Sequence, residues 1–246
     1  MLRIGSVALD GTPRIVAPFT DKTPLGSIQH AERMGLDIAE ARIDQFEMFD
    51  QSYVLEQLER FGNTAVIATI RSESEGGKWR LTEAERLALF KAIISRADAV
   101  DIELSSTRIL GDVVEAAKSA GKPAIVSWHD FETTPGADVL RSQAEKAHRA
   151  GADIVKIATT VTSRTHVEAL ARLVLERGDE SVAVFGMGPE GLLTRLLFPA
   201  LGSVFIYSFL DQPTAPGQLH FDDTFRQLRL LYPSFEREKA SMLTRG

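Results

Sequence analysis

The stretch L-D-I-A-E-A-R-I-D at residues 36–44 decides the fold. Successive side chains of a strand point to opposite faces, so Ile38, Glu40, Arg42 and Asp44 share one side and Ala39, Ala41 and Ile43 the other. The small apolar side must pack on helices, which is what covers a parallel strand. The charged side is then left to face the interior or the mouth of a closed sheet.

Working outward, short apolar, β-branched runs recur at roughly 13–18, 36–43, 64–70, 98–104, 123–128, 153–158, 181–186 and 203–207, and longer stretches of helical period fit between them. Residues 82–96 are one such stretch. Thr82 with Glu85 three residues on makes a capping box, and Leu87, Phe90, Ile93 and Ile94 form one apolar face. Eight strand–helix units in 246 residues predict an α/β protein, a (β/α)8 TIM barrel forming one catalytic domain over 1–246. Residues 1–11 alternate as a strand (Leu2, Ile4, Ser6) and end at Asp10-Gly11, a dipeptide suited to a hairpin turn into the first barrel strand, so this hairpin is expected to close one end. From about Glu236 the tail shows no partner element and is expected to fray.

The alternation argument repeats along the chain. It directs Thr69 and Arg71 inward on the third strand, Asp101 and Glu103 on the fourth, Ser127 and His129 on the fifth, and Ile154, Lys156 and Ala158 on the sixth. Val155 and Ile157 claim the helix side around Lys156, and the bulk of Trp128 does the same beside His129. Burying an ion costs several kcal/mol unless it is well paired, so an apolar layer would fill a barrel more easily. Charges gathered at strand C-termini are where this fold keeps its active sites. A purely structural ion-pair network that fixes strand register is the competing reading.

Composition narrows the partner. A formal charge of −6 and a pI near 5.5 give no basic field for a nucleic acid or an anionic membrane, which leaves a small molecule. With no cysteine there is no disulfide and no thiolate chemistry, which is compatible with a reducing compartment. The N-terminus lacks a signal-peptide pattern, and no apolar run approaches the ~18 residues of a membrane span, so the chain reads as soluble and cytoplasmic.

At the inward residues the sequence resembles the type I 3-dehydroquinate dehydratase family over nearly its full length. The motifs come in order: EARID at 40–44, IRSESEGG at 70–77, DIEL at 101–104, SWHDFETTP at 127–135, GADIVKIA at 151–158 and APGQ at 215–218. The resemblance implies that Lys156 forms a Schiff base with 3-dehydroquinate, that His129 transfers protons, and that Glu75 supports the histidine. It implies that Arg195 holds the substrate carboxylate, and that Glu40, Arg42, Arg71, Thr214 and Gln218 stand at substrate-binding positions. No metal or organic cofactor is implied, the assembly is expected to be a homodimer, and the reaction belongs to the shikimate route to aromatic amino acids. The chain departs from the family pattern at Thr214 and Thr194, where serine is common, at Thr159-Thr160, where apolar residues are common, and at Pro18, near a position that can carry serine. Loop 208–220 reads as a lid carrying Gln218, with Gly77-Lys78-Trp79 closing from the other side.

Two other functions share these features. A Schiff-base aldolase also needs an interior lysine, and the Gly-rich segment Gly186–Gly191 offers a place for a phosphate, although Glu190 within it opposes an anion. A non-catalytic metabolite-binding barrel is the other.

Overall fold

A computed structural model describes residues 1–177 and 180–243. Its strands are β1 (Arg3–Ile4), β2 (Val7–Ala8), β3 (Ile15–Phe19), β4 (Ile38–Arg42), β5 (Ala65–Thr69), β6 (Ala99–Glu103), β7 (Ala124–Asp130), β8 (Ile154–Thr160), β9 (Val182–Met187), β10 (Ile206–Phe209) and β11 (Leu219–His220). The helices are α1 (Leu25–Met34), α2 (Gln51–Leu58), α3 (Glu83–Ile93), α4 (Leu110–Ser119), α5 (Ala137–Arg149), α6 (Arg164–Glu176), α7 (Leu192–Leu197), α8 (Phe221–Leu231) and α9 (Pro233–Leu243). Strands β3 to β10 are the eight read from the sequence. They pair in parallel in the order β10-β3-β4-β5-β6-β7-β8-β9, with β11 on the free edge of β10. The ring closes low down, through a parallel bridge between Val182 and Ser203 and the Val204 N–H donating to the Val182 carbonyl at 2.8 Å. Above that point β9 and β10 part, and β11 lines the gap. Among the described residues no helix is long and apolar enough to cross a membrane.

The alternation in β4 has the expected outcome. Ala39, Ala41 and Ile43 join the buried layer between sheet and helices, together with Val155 and Ile157, and Trp128 packs against it. The inner side is stratified. Ile38, Ile67, Ala99, Ile125 and Ile154 fill an apolar lower layer that Ile4 of the N-terminal hairpin completes. Glu40, Thr69, Asp101, Ser127 and Lys156 lie above it, all buried, with Thr69 opposite Asp101 and Ser127 opposite Lys156 in the ladders.

Two local expectations need correction and one needs an addition. The hairpin turns at Gly5-Ser6, with β1 paired to β2, and not at Asp10-Gly11; Gly5 takes φ +54°, the left-handed region that a glycine enters without strain. The capping box at Thr82 and Glu85 is present and the expected face packs on the core, with Phe90, Ile93 and Ile94 buried and Leu87 half-buried, but Arg86 and Leu89 are buried beside it. Arg86 reaches inward because the Ile70 carbonyl (2.7 Å) and Glu103 (2.5 Å) accept its guanidinium N–H groups. The C-terminal segment is helical through Leu243. Phe235 is fully buried, and Lys239 donates to Asp37 Oδ1 at 2.6 Å and to the Gly35 carbonyl at 2.8 Å. Its partner lies some 200 residues upstream at the foot of β4, out of reach of any local pattern.

Candidate active site

A pocket with about 540 Å³ of empty space opens at the C-terminal end of the barrel. Every residue given a site role from the sequence lines it: Glu40, Arg42, Arg71, Glu75, His129, Lys156, Arg195, Thr214 and Gln218. Phe185, Met187 and Tyr207, which lie in strands and share the pattern of core, also line the wall and were not singled out in advance, nor was the exposed Phe131 just past β7.

Lys156 is 5% exposed. Its Nζ donates to Asp101 Oδ2 at 2.7 Å and to the Tyr207 hydroxyl at 3.0 Å, with Glu40 Oε1 at 3.4 Å. Asp101 is fully buried and outside the pocket wall. Its Oδ1 accepts from Ser127 Oγ at 2.6 Å and pairs with Arg71 at 2.8 Å. Burial alone would raise the Asp101 pKa, but Arg71 and Lys156 hold it well below the usual carboxylate range. Glu103 behaves alike: burial opposes ionisation, and Arg71 and Arg86 bring it down to about 2. Arg42 is tied to Asp44 by two N–H···O bonds of 3.0 and 2.9 Å.

His129 stands on β7 beside Lys156 on β8. Its Nδ1 lies 2.8 Å from Glu75 Oε2, and its backbone N–H donates to the same oxygen at 3.1 Å. Ser105 Oγ donates to the other Glu75 oxygen. The carboxylate thereby fixes the ring with a proton on Nδ1, leaving Nε2 as the basic nitrogen. Burial, and then the charge of Arg71, lower the His129 pKa below its ordinary value. The sequence alone left Glu75 an ordinary loop residue; a short 3-10 turn at Glu73–Glu75 buries it.

Arg195 differs from the other inward arginines. It sits on the short helix α7, 3% exposed, where a surface position would be the default. Among the described residues no acid pairs with it: Nη2 donates to the Pro216 carbonyl at 3.3 Å and Nε has no partner. Burial pulls its pKa down to about 10. The guanidinium carbon lies 5.7 Å from the Phe185 ring centre. A buried cation left in this state is set to receive an anion.

The loops are more firmly held than a pair of flaps. Gln218 Oε1 accepts from the backbone N–H groups of Thr214 (2.8 Å) and Ala215 (3.2 Å), so its amide orders its own loop. On the other side Trp79 is buried against Phe49, and the Lys78 N–H donates to Asp44 at 3.1 Å. The segment expected to close from that side is docked. Of the departing positions only Thr214 lines the pocket. Thr194 bridges the Gly186 N–H and the Gly191 carbonyl, and Thr159 and Thr160 hold the loop after β7 through Thr134 and the Phe131 carbonyl. Pro18 is buried in β3.

Residues 17–234 match the sequence model of type I 3-dehydroquinase. The chain belongs to the type I 3-dehydroquinase family. Relatives agree along almost the whole length. The 3-dehydroquinate dehydratase of Methanococcoides burtonii is 37% identical over 235 residues, spanning 94% of this chain and all of the relative. That of Methanosarcina barkeri is 38% identical over 242 residues with the same coverage. Among solved structures, the 3-dehydroquinate dehydratase of Geobacillus kaustophilus superposes with a TM-score of 0.81 at 32% identity, over 89% of this chain and 91% of that one. For a type I 3-dehydroquinase, the interior lysine and the strand-end histidine are the features that composition could not have supplied.

Proposed function

We propose that this chain, acting as one catalytic domain over residues 1–246, dehydrates 3-dehydroquinate to 3-dehydroshikimate through a Schiff base on Lys156. One observation carries the reading: a buried lysine, a carboxylate-oriented histidine and a guanidinium without an acid line one pocket.

Removing a proton beside a ketone is difficult because the carbanion is unstable, and an iminium supplies an electron sink. Lys156 adds to the ketone and water leaves. His129, neutral at Nε2, takes the proton at C2 and returns a proton to the departing C1 hydroxyl. Glu75 keeps the imidazole in the required tautomer and steadies the imidazolium formed in between. Arg195 grips the ring carboxylate, and Arg42 and Arg71, oriented by Asp44 and Asp101, line the wall around it. Glu40, Thr214 and Gln218 supply polar contacts around the ring. Water then hydrolyses the imine, and the route asks for no metal or organic cofactor.

The aldolase alternative loses its anchor at the glycine segment. The Gly188 N–H donates to the Pro216 carbonyl (3.2 Å) and the Gly191 N–H to the Gly188 carbonyl (3.1 Å), so these amides are not free for a phosphate. Borohydride reduction in the presence of 3-dehydroquinate or of a phosphorylated ketose separates the readings. A reduced adduct at Lys156 with dehydroquinate is expected. Labelling of another lysine, or labelling by the ketose alone, overturns the assignment. Family likeness also supports a cytoplasmic homodimer serving aromatic amino-acid synthesis, and sedimentation velocity tests the assembly.

A further inference from the structure

Before Lys156 can attack a ketone its ammonium must lose a proton, and two of its three protons must finally leave with the carbonyl oxygen as water. The structure offers two oxygens within 3.0 Å of Nζ: Asp101 Oδ2 and the Tyr207 hydroxyl. Asp101 suits the task poorly. Its other oxygen already receives Arg71 and Ser127, and it lies outside the pocket, away from any carbonyl that must later be protonated.

Tyr207 is differently placed. Its hydroxyl accepts from Lys156 Nζ and donates to Glu40 Oε1 at 3.0 Å, and both Tyr207 and Glu40 face the pocket. The ring is pinned edge-on against Phe185 (5.4 Å) and Phe205 (5.8 Å), which fixes where the hydroxyl points. Glu40 is steadied in turn by Thr69 Oγ1 at 2.9 Å. Lysine, phenol and carboxylate thus form a directed chain in which each group is both held and free to pass one proton on. Burial, followed by the charges of Glu40 and Asp101, raises the Tyr207 pKa well above its ordinary value, so the phenol retains the proton that it hands forward.

We propose that Tyr207 is a positioning residue that relays protons between Lys156 and Glu40 during imine formation and hydrolysis. The proposal rests on the Schiff-base reading of Lys156. An N–H bond of the ammonium breaks and its proton passes to the Tyr207 oxygen, while the Tyr207 O–H proton passes to Glu40. The freed nitrogen lone pair bonds to the ketone carbon. Glu40 then gives its proton to the resulting alkoxide. A second pass along the same chain moves another proton from nitrogen to that hydroxyl, which leaves as water. The nitrogen keeps its third proton as the iminium N–H, and charge and atoms balance. Hydrolysis runs the chain in reverse.

Tyr207→Phe tests this, because it keeps the ring that packs on Phe185 and Phe205 and removes only the oxygen. Rapid-quench borohydride trapping should show imine formation at Lys156 slowed by about 10- to 100-fold, at or below the low end of what one positioned acid–base group supplies. With dehydroquinate deuterated at C2, the isotope effect on kcat should fall toward unity, since attachment and no longer proton abstraction would limit turnover. A group that merely holds the fold would not move the rate-limiting step in this way. In a double-mutant cycle, Glu40→Gln should slow trapping far less in the Tyr207→Phe background than in wild type, because the chain is already cut. Wild-type trapping rates and an unchanged isotope effect in Tyr207→Phe, or additive losses in the cycle, overturn the relay. Absence of any adduct at Lys156 in the wild-type protein instead overturns the Schiff-base reading beneath it.

Discussion

Both ends of this barrel bury a cluster of charges, and the two clusters differ in whether they are complete. At the N-terminal end, Asp37 accepts from Lys239 at 2.6 Å and from the Ile15 N–H at 2.9 Å, with Arg14 at 3.5 Å; Arg14 in turn meets Asp10 and Glu238. Each of these cations has an anion. At the C-terminal end Arg42 and Arg71 are paired, but Arg195 has no acid among the described residues, and Lys156 looks into an open pocket. A complete network holds elements together. An incomplete one keeps its attraction for a ligand.

The sharpest way to break the contrast is at Lys156. Lys156→Ala should reduce turnover and borohydride labelling to background, while circular dichroism and the thermal midpoint report an intact fold. Unfolding instead would place this lysine with the structural cluster.

His129→Ala should still form the imine and should lose about 10²–10⁴-fold or more in kcat, because the residue serves more than one proton transfer. Turnover within a few-fold of wild type would assign the base elsewhere. The pH profile adds a sign. Burial, helped by Arg71, lowers the His129 pKa from 6.5, so the neutral base survives to lower pH and the limb it controls should lie below 6.5. A histidine limb above that value would contradict the site.

How far could these residues be read in advance? Lys156 and His129 were legible because their neighbours Val155, Ile157 and Trp128 left only the inner side open. Their partners were less so. Arg86 and Lys239 are fully or nearly fully buried by acids far along the chain, and helical periodicity carries no record of a carboxylate delivered from another strand. Tyr207 was invisible for the opposite reason: its ring belongs to the core pattern and only its oxygen does chemistry. The turn at Gly5-Ser6 was masked by a more familiar turn dipeptide downstream. Arg195 was placed by family motif alone, since α7 has only six residues and no periodic face to expose the burial.

Arg195→Ala should lower kcat/KM for dehydroquinate by roughly 2–5 kcal/mol, about 30- to 5000-fold, by stranding the substrate carboxylate. Arg195→Lys should restore part of this, because an ammonium lacks the planar two-point grip. An analogue without the carboxylate should be handled almost equally by wild type and the alanine variant. Equal losses for both compounds would move Arg195 to the structural class.

The smallest effect belongs to the complete cluster. Lys239→Met should cost about 1.5–3 kcal/mol in denaturant unfolding, the range for a hydrogen-bonded charge, since Asp37 keeps the Ile15 N–H and Arg14. Its kcat should be unchanged. A fall in kcat at unchanged stability would erase the distinction between the two ends.

The parting of β9 from β10 also leaves one wall of the pocket built differently from the rest. The wall of the pocket at that seam is not barrel ladder but loop, held by the short pairing of β11 with β10, the Gly188 N–H on Pro216 and one arginine bond to the same carbonyl. Opening that wall would exchange these few hydrogen bonds for water and would break none of the strand pairings from β3 to β9. The Pro216 carbonyl that latches this loop also holds Arg195, so under the role proposed for Arg195 an arriving carboxylate and the shut loop would draw on one guanidinium.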